Sequence, residues 1–407
     1  MSQPFRFIHS SDWHLDRPVR GLAEVPDHLR TALVEAPYRA AERVFDACVH
    51  ERVDFLVLAG DVLEPLAAGP RGLLFLIEHF EKLGDLGIKV YWAGGRSDNF
   101  DRWPDVPLPE NVVRFPLGRI LRIEHRRHGE PLLQILGTSA AGRKKIRAAD
   151  FHTDATGLFA LAVGYGGIEP EAVASHLANF WALGGEHQRG NFVVGPVTVH
   201  YCGTPQGRRP QESGPHGCTL VHVDEALAIR SNFIPTDAVR FHNERVAVAA
   251  ETTADQLHQQ LEERIGELLS DPFGPDWFIQ WTMADSRAPE SESAHSKAAL
   301  DLLARLRAEH GAKRPAAWTV SIEHEASHPG RSRYEEDTVL GEFLRTVRHY
   351  VEHPEATLEV DDYLTPNQIA SGLRQDMAID EAATRNRVLA EVARLGVRLL
   401  SPEDARS

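Results

Sequence analysis

The stretch Val53-Asp54-Phe55-Leu56-Val57-Leu58-Ala59 is apolar at six of its seven positions and stops abruptly at Gly60-Asp61. A strand apolar on both faces must be covered on both faces, as in the parallel sheet of an α/β layer structure. The same texture recurs through the first half of the chain. Phe5–Ile8 runs into His9-Ser10-Ser11-Asp12, and Ile88–Ala93 stops at Gly94-Gly95. Further strands are expected at Leu132–Leu136, Leu158–Val163, Phe180–Leu183 and Asn191–Val194. Helical patterns separate the first three. Ala40, Val44 and Cys48 make one stripe over Tyr38–His50, and Pro70 opens a helix carrying Leu73, Leu74, Ile77, Phe80 and Leu83. This β-α-β rhythm predicts an α/β domain.

The texture changes near Thr236–Arg245. From there we expect strands at Arg245–Ala249, Trp277–Met283 and Trp318–Glu323, alternating with helices at Ala254–Leu269, Ser296–Glu309 and Asp337–Val351. Ser286–Ser293 and Ala326–Tyr334 read as polar loops. After Pro354 come an acidic link, Glu359-Val360-Asp361-Asp362, and a last helix near Asp380–Leu395. With 407 residues the chain is too long for one ordinary core. The expected division is therefore 1–238, a second α/β domain over 239–353, and a tail over 354–407.

The longest dense apolar run, Leu73–Ile77, is far short of a membrane span, and the N-terminus shows no export signal. The three cysteines, Cys48, Cys202 and Cys218, have no CxxC spacing and form no disulfide framework. A cytoplasmic protein is expected. The formal charge of −15 argues against a surface coated in phosphate contacts. One stretch differs: Arg114–Asp150 holds nine Lys/Arg against three acidic residues, a local +6 that includes Arg143, Lys144 and Lys145. It reads either as a solvated surface or as a face for a phosphate-rich ligand.

Each strand ends in chemistry: Asp12-Trp13-His14, then Gly60-Asp61, Gly95-Arg96-Ser97-Asp98 and Gly184-Gly185-Glu186-His187. In α/β sheets, ligands sit outside the carboxyl ends of the strands. Asp12, His14, Asp61 and His187 form a mixed carboxylate and imidazole set, which suits Mn, Fe or Zn better than Ca. Asp16 and Asp98 are candidates to orient His14 or Arg96. Trp92 and Trp103 flank the third strand end as candidate cleft residues.

His9–Asp16 and Leu58–Glu64 resemble the first two motifs of the calcineurin-like metallophosphoesterases. More narrowly, they are similar to the SbcD-type DNA repair nucleases and their YhaO-like branch, as are Tyr201–Arg208 and Phe233–Asp237. The resemblance covers roughly residues 1–240. It implies an α-β-β-α sandwich followed by a smaller α/β capping domain, with a helical C-terminal tail beyond. It also implies phosphodiester hydrolysis with two Mn-type ions. Asp12, His14, Asp61 and His187 stand at the ligand positions of the first ion. At the second, only the bridging Asp61 remains: the family Asn is Arg96, the isolated His falls at Gly164 or Tyr165, and the first His of the last motif is Gly185. Ser97 replaces the His that serves as transition-state donor.

The expectation is a degenerate site with at most one Mn²⁺ or other divalent ion, and weak or absent exonuclease activity. Two readings of Arg96 stand open: its guanidinium replaces the second ion electrostatically, or it points to solvent. The resemblance further implies DNA as substrate and a coiled-coil SMC-like ATPase as partner. A homodimer is compatible with the sequence. A non-catalytic DNA-binding scaffold and a small-molecule phosphatase are the alternatives.

Overall fold

The computed structural model describes residues 3–140, 145–152, 157–173, 178–249, 251–285, 292–324, 331–358 and 382–400. The acidic link at 359–362, Arg143 and Lys144 lie outside the described residues, as do most of the two polar loops. In chain order the elements are β1 (Phe5–Ser10), α1 (Asp27–His50), β2 (Phe55–Ala59), α2 (Pro65–Asp85), β3 (Lys89–Ala93), β4 (Val112–Arg114), β5 (Leu121–Arg127) and β6 (Glu130–Gly137). Then come β7 (Phe159–Tyr165), α3 (Pro170–Val173), β8 (Phe180–Gly184), β9 (Gly190–Val194), β10 (Val197–Tyr201), β11 (Gly217–Val223) and β12 (Ile229–Pro235). The chain continues as β13 (Val239–Val248), α4 (Ala254–Leu268), β14 (Asp276–Asp285), α5 (Glu292–His310), β15 (Ala317–His324), α6 (Arg331–Tyr334), α7 (Val339–Glu352) and α8 (Ala382–Leu400). Among the described residues no helix is long and apolar enough to cross a membrane.

Two six-stranded sheets face each other, ordered β12-β11-β1-β2-β3-β4 and β5-β6-β7-β8-β10-β9. Their centres are parallel: β1, β2, β3 and β4 in the first, and β6, β7, β8 and β10 in the second. Strand alternation sends Phe7, Phe55, Val57 and Tyr91 of one sheet against Phe159, Leu161, Val163 and Phe180 of the other. The opposite parity, Ile8, Leu56, Leu58 and Trp92, packs on Val44, Phe45, Leu76 and Phe80 of the two long helices. On the far side, Ala160, Ala162 and Trp181 pack on Phe151 and Val173. Among the described residues that outer layer is thin, a 3₁₀ turn at Ala148–Asp150 and the four-residue α3. The architecture is the expected mixed α/β sandwich.

Two helices depart from expectation near a proline. The helix expected from Tyr38 begins eleven residues earlier, at Asp27, and carries Pro37 inside it. Proline lacks the N–H that would bond the Leu33 carbonyl; the Val19 N–H approaches that oxygen instead, at 3.4 Å. Pro70 does start a segment, because Gly69 breaks α2 with φ 62°. The strands that the apolar pattern does not mark, β4, β5, β10, β11 and β12, lie at a sheet edge or have an antiparallel neighbour on at least one side.

The chain forms two compact units. The larger comprises 1–244, 253–281 and 295–322. In it, Val19, Leu29 and Leu33 pack on Phe241, Phe278 and Ala316. The smaller comprises 245–252, 282–294 and 323–407, and is centred on α7 and α8 through Leu340, Leu344, Leu389 and Ala393. Strands β13, β14 and β15 form a three-stranded sheet in that order. Helix α4 starts on a capping box, Thr253 accepting from the Gln256 N–H at 3.2 Å and the Gln256 side chain accepting from the Thr253 N–H at 2.9 Å.

Three histidines on the strands of the sandwich are buried, among the described residues. His9 and His200 meet Nδ1 to Nδ1 at 2.9 Å, and His125 Nδ1 lies 2.8 Å from the Tyr91 hydroxyl. Burial holds all three neutral: His9 well below the ordinary value, His125 at about 4 and His200 at about 3. A base whose pKa is lowered by folding adds stability above its unfolded pKa and loses it in acid. The His125 contribution is therefore complete above about pH 6.5 and is lost as pH falls towards 4. In urea melts, His125→Phe should reduce the pH dependence of unfolding free energy by about 1.4 kcal/mol per unit between pH 4.5 and 6. An unchanged slope would show that His125 is protonated in the folded chain.

Candidate metal centre

The carboxyl ends of β1, β2, β3, β7 and β8 supply the site, as expected for ligands at strand ends. The loop after β1 is zipped onto the loop after β2. The N–H groups of Asp12, His14 and Leu15 donate to the carbonyls of Gly60, Asp61 and Val62 at 2.8, 3.0 and 3.1 Å. Asp12, His14 and Asp61 sit at φ 55°, 47° and 52°, three of the six non-glycine residues in the left-handed region among the described residues. That conformation is strained for a residue with a Cβ, at about 1–3 kcal/mol each. Strain of this kind persists only where the surroundings hold it.

Asp98 is the principal holder. Its buried carboxylate accepts from the N–H groups of Asp61 (2.9 Å), Gly95 (2.5 Å) and Val62 (3.2 Å), and from the Trp92 indole (2.7 Å). Asp16 accepts from the Glu64 N–H at 2.9 Å. The partners of both are therefore backbone groups, Trp92 and, for Asp16, the Arg17 side chain, rather than His14 or Arg96. Trp92 itself is buried beneath the loop rather than lining a cleft. Glycine is required at 95, where a Cβ would lie 2.5 Å from Asp61 Oδ1, and at 184, where it would collide with the Ala59 carbonyl.

Asp12, His14 and His187 can each bring one donor atom within 4.8 Å of the other two. Several of these atoms have nothing to bond. Asp12 Oδ1 and both ring nitrogens of His14 are buried without a hydrogen-bond partner. A neutral imidazole has an acceptor nitrogen, and burial, with Arg208 and His187 nearby, keeps His14 neutral far below its ordinary pKa. Burial likewise pushes Asp12 up to about 7, against the pull of His187. Unmade bonds at a buried carboxylate and a buried imidazole are costly, and a divalent cation satisfies both. The residues present thus fit a metal ion. Asp12 Oδ2 is occupied, by the Ser11 hydroxyl at 2.6 Å and the Gly185 N–H at 3.0 Å.

His187 is oriented from behind. Its Nδ1 lies 2.9 Å from Glu212 Oε1, the carboxylate–imidazole arrangement that leaves Nε2 for a metal. Burial raises the Glu212 pKa, but the His187 hydrogen bond and the Arg208 charge outweigh it and bring the group to about 2. Glu212 lies 25 residues beyond His187, and no spacing in the sequence links them.

Asp61 comes close, with Oδ2 3.9 Å from His14 Nε2, but protein donors already use it. Oδ1 accepts the N–H groups of Arg96 and Ser97 at 2.6 and 2.7 Å, and Oδ2 accepts the Tyr165 hydroxyl at 2.6 Å. Tyr165 is 7 % exposed, and burial and Asp61 keep its hydroxyl protonated. Its ring fills the space over Gly60, Gly95 and Gly185. Arg96 therefore meets Asp61 through its backbone, while the residue is otherwise exposed. Ser97 is buried. Lys145 pairs with Glu169 at the surface.

The quoted motifs after β10 and β12 brace the site. Thr204 Oγ1 donates to the Asp12 carbonyl at 2.8 Å, and Thr236 Oγ1 to the Pro205 carbonyl at 3.0 Å. His216 contacts the carbonyls of Thr204 and Glu212, a packing role.

No protein-family model matches the chain. It is similar to an uncharacterized metallophosphoesterase, YhaO, of Bacillus subtilis (strain 168), 28 % identical over 277 residues that make up 64 % of this chain and 68 % of the relative. Among solved structures it is similar to a predicted phosphoesterase from Streptococcus pneumoniae TIGR4, with 14 % identity, 58 % of this chain and 92 % of that one covered, and a TM-score of 0.26. A dimetal phosphatase from Danio rerio gives 11 % identity, coverage of 56 % and 98 %, and a TM-score of 0.34. Superpositions of that quality assign no residue roles.

Removing the Glu212 carboxylate frees His187 to rotate. Glu212→Gln should weaken zinc binding by about 10- to 100-fold in calorimetric titrations, the range found for partners of metal-bound histidines. Equal affinity in the variant and the wild type would mean that His187 is no ligand.

Proposed function

We propose that this chain, a calcineurin-like metallophosphoesterase homologue, works with one divalent ion per chain and turns over phosphodiesters slowly. The reading is carried by Asp61. A carboxylate offers about four lone-pair positions, and three protein donors already occupy three of them. One position remains for an ion beside Asp12, His14 and His187, whereas a bridging carboxylate needs two. The Tyr165 ring, over Gly60, Gly95 and Gly185, excludes a second set of ligands from the same side.

When bound, the ion would polarise a phosphoryl oxygen as a Lewis acid. The chain's own residues do the rest. Asp12, His14 and His187 would hold the ion, Glu212 fixes the His187 ring, and the Asp61 carbonyl, which accepts the His14 N–H, fixes the His14 backbone. Ser97 supplies no imidazole to protonate a leaving oxygen at neutral pH. Losing that donor and a second cation removes two contributions of several kcal/mol each from transition-state stabilisation. DNA is the substrate class we favour, on the motif resemblance to the SbcD-type nucleases. Manganese and zinc both suit the N/O donor set.

Two measurements test this. Metal analysis of manganese- or zinc-loaded protein should find one ion per chain, lost in Asp12→Ala; two ions per chain would overturn the one-ion reading. Mn-dependent cleavage of end-labelled DNA should be slow in the wild type and absent in Asp61→Asn. Equal behaviour of the two proteins would replace catalysis by a DNA-binding role.

A further inference from the structure

We infer that Arg208 is an anion-binding residue of this site, placed to hold a phosphate oxygen beside the ion at Asp12, His14 and His187. The inference rests on the one-ion reading for the identity of the neighbouring charge. Arg208 is only 5 % exposed, yet its Nε has no hydrogen-bond partner. Its one side-chain contact is Nη2 to His187 Nδ1 at 3.5 Å, and that nitrogen is already engaged by Glu212 at 2.9 Å. Among the described residues no carboxylate lies within ion-pair distance of its guanidinium. Glu212 accepts its backbone N–H instead, at 2.7 Å. The neighbouring arginines differ: Arg17 pairs with Asp16 and Arg209 with Glu212.

The backbone at Arg208 is fixed on both sides. Its N–H is held by Glu212 and its carbonyl accepts the Arg20 N–H at 2.9 Å. What results is a buried, permanently charged fork whose Nε is unused, electrostatically coupled to Glu212 first, and also to Asp12 and His14. A guanidinium left so is unfavourable until an anion joins it. Nε and an adjacent Nη form the edge that takes two oxygens of one phosphate. Arg208 thus brings positive charge to the His187 side of the cluster, whereas Arg96 meets Asp61 through its backbone.

The test is calorimetric titration of inorganic phosphate into full-length wild type, Arg208→Gln and Arg208→Lys, each zinc-loaded and chelator-treated, with zinc affinity measured separately. Wild type should bind phosphate at least tenfold more tightly than Arg208→Gln. Arg208→Lys, which keeps the charge and loses the fork, should fall between. Zinc affinity should agree within twofold across the three. Equal phosphate affinity in wild type and Arg208→Gln overturns the inference, as does loss of zinc binding in Arg208→Gln, which would make Arg208 a brace for His187. Should Arg208→Gln fail to fold, the lysine variant decides: wild-type affinity there counts against the fork. Absence of zinc binding in the wild type overturns the one-ion reading alone, and the chelator-treated titrations still decide on Arg208.

Discussion

The Asp98 carboxylate joins the end of the second strand to the end of the third. It gathers three backbone N–H groups and one indole in a buried place; the three backbone donors lie in the two loops that frame Asp61, and the indole comes from Trp92 in β3. Burial pushes its pKa up to about 7, with Asp61 adding to the rise and the donors opposing it. Without that anchor the tight approach of Gly95 to Asp61 has no support. The N–H groups of Arg96 and Ser97 would then no longer point at the Asp61 carboxylate. One buried hydrogen-bond hub therefore fixes the position of Asp61 at the strand ends.

The two sheets and the site share their logic. Parallel strands with apolar residues on both faces leave only their ends for polar work, and the strand-end glycines let loops from opposite sheets approach closely. Tyr165 and Gly184 are paired across β7 and β8, and Gly185 then places its N–H on Asp12. The donors that reach the two aspartates are thus largely backbone groups, set by register rather than by side-chain choice. The exceptions are the Ser11 hydroxyl, which donates to Asp12, and the Tyr165 hydroxyl, which occupies a lone pair of Asp61.

Much of this was legible in the residues, and the illegible part has physical causes. Parallel core strands are continuous apolar runs closed by glycine, so β1, β2, β3, β6, β7 and β8 stand out, as do Asp12, His14, Asp61 and His187 at their ends. Edge strands lack that mark. Strand β5 reads Leu-Arg-Ile-Glu-His-Arg-Arg, with four of seven residues exposed, and passes for a charged surface segment. Proline at 37 hid the first half of α1, because the sequence does not show that Val19 would take the freed carbonyl. Among site residues, Glu212 and Arg208 act on His187 through space, and chain spacing carries no trace of that. The role of Tyr165 depends on three glycines that are far apart in sequence and adjacent in the fold. For Arg96, the residue type suggested a side-chain role, whereas the contact it makes is one any residue could make.

The left-handed backbone at Asp12, His14 and Asp61 bears on how such a chain can change. Glycine or asparagine at these positions would relax the main chain, so random substitution has a downhill route out of the ligand set through stability alone. A protein indifferent to an ion would drift along that route, trading each strained carboxylate or imidazole for a residue at ease in the turn. Asp12, His14 and Asp61 thus stand where backbone ease alone would favour other residues, and on the one-ion proposal it is the cation that offsets the strain.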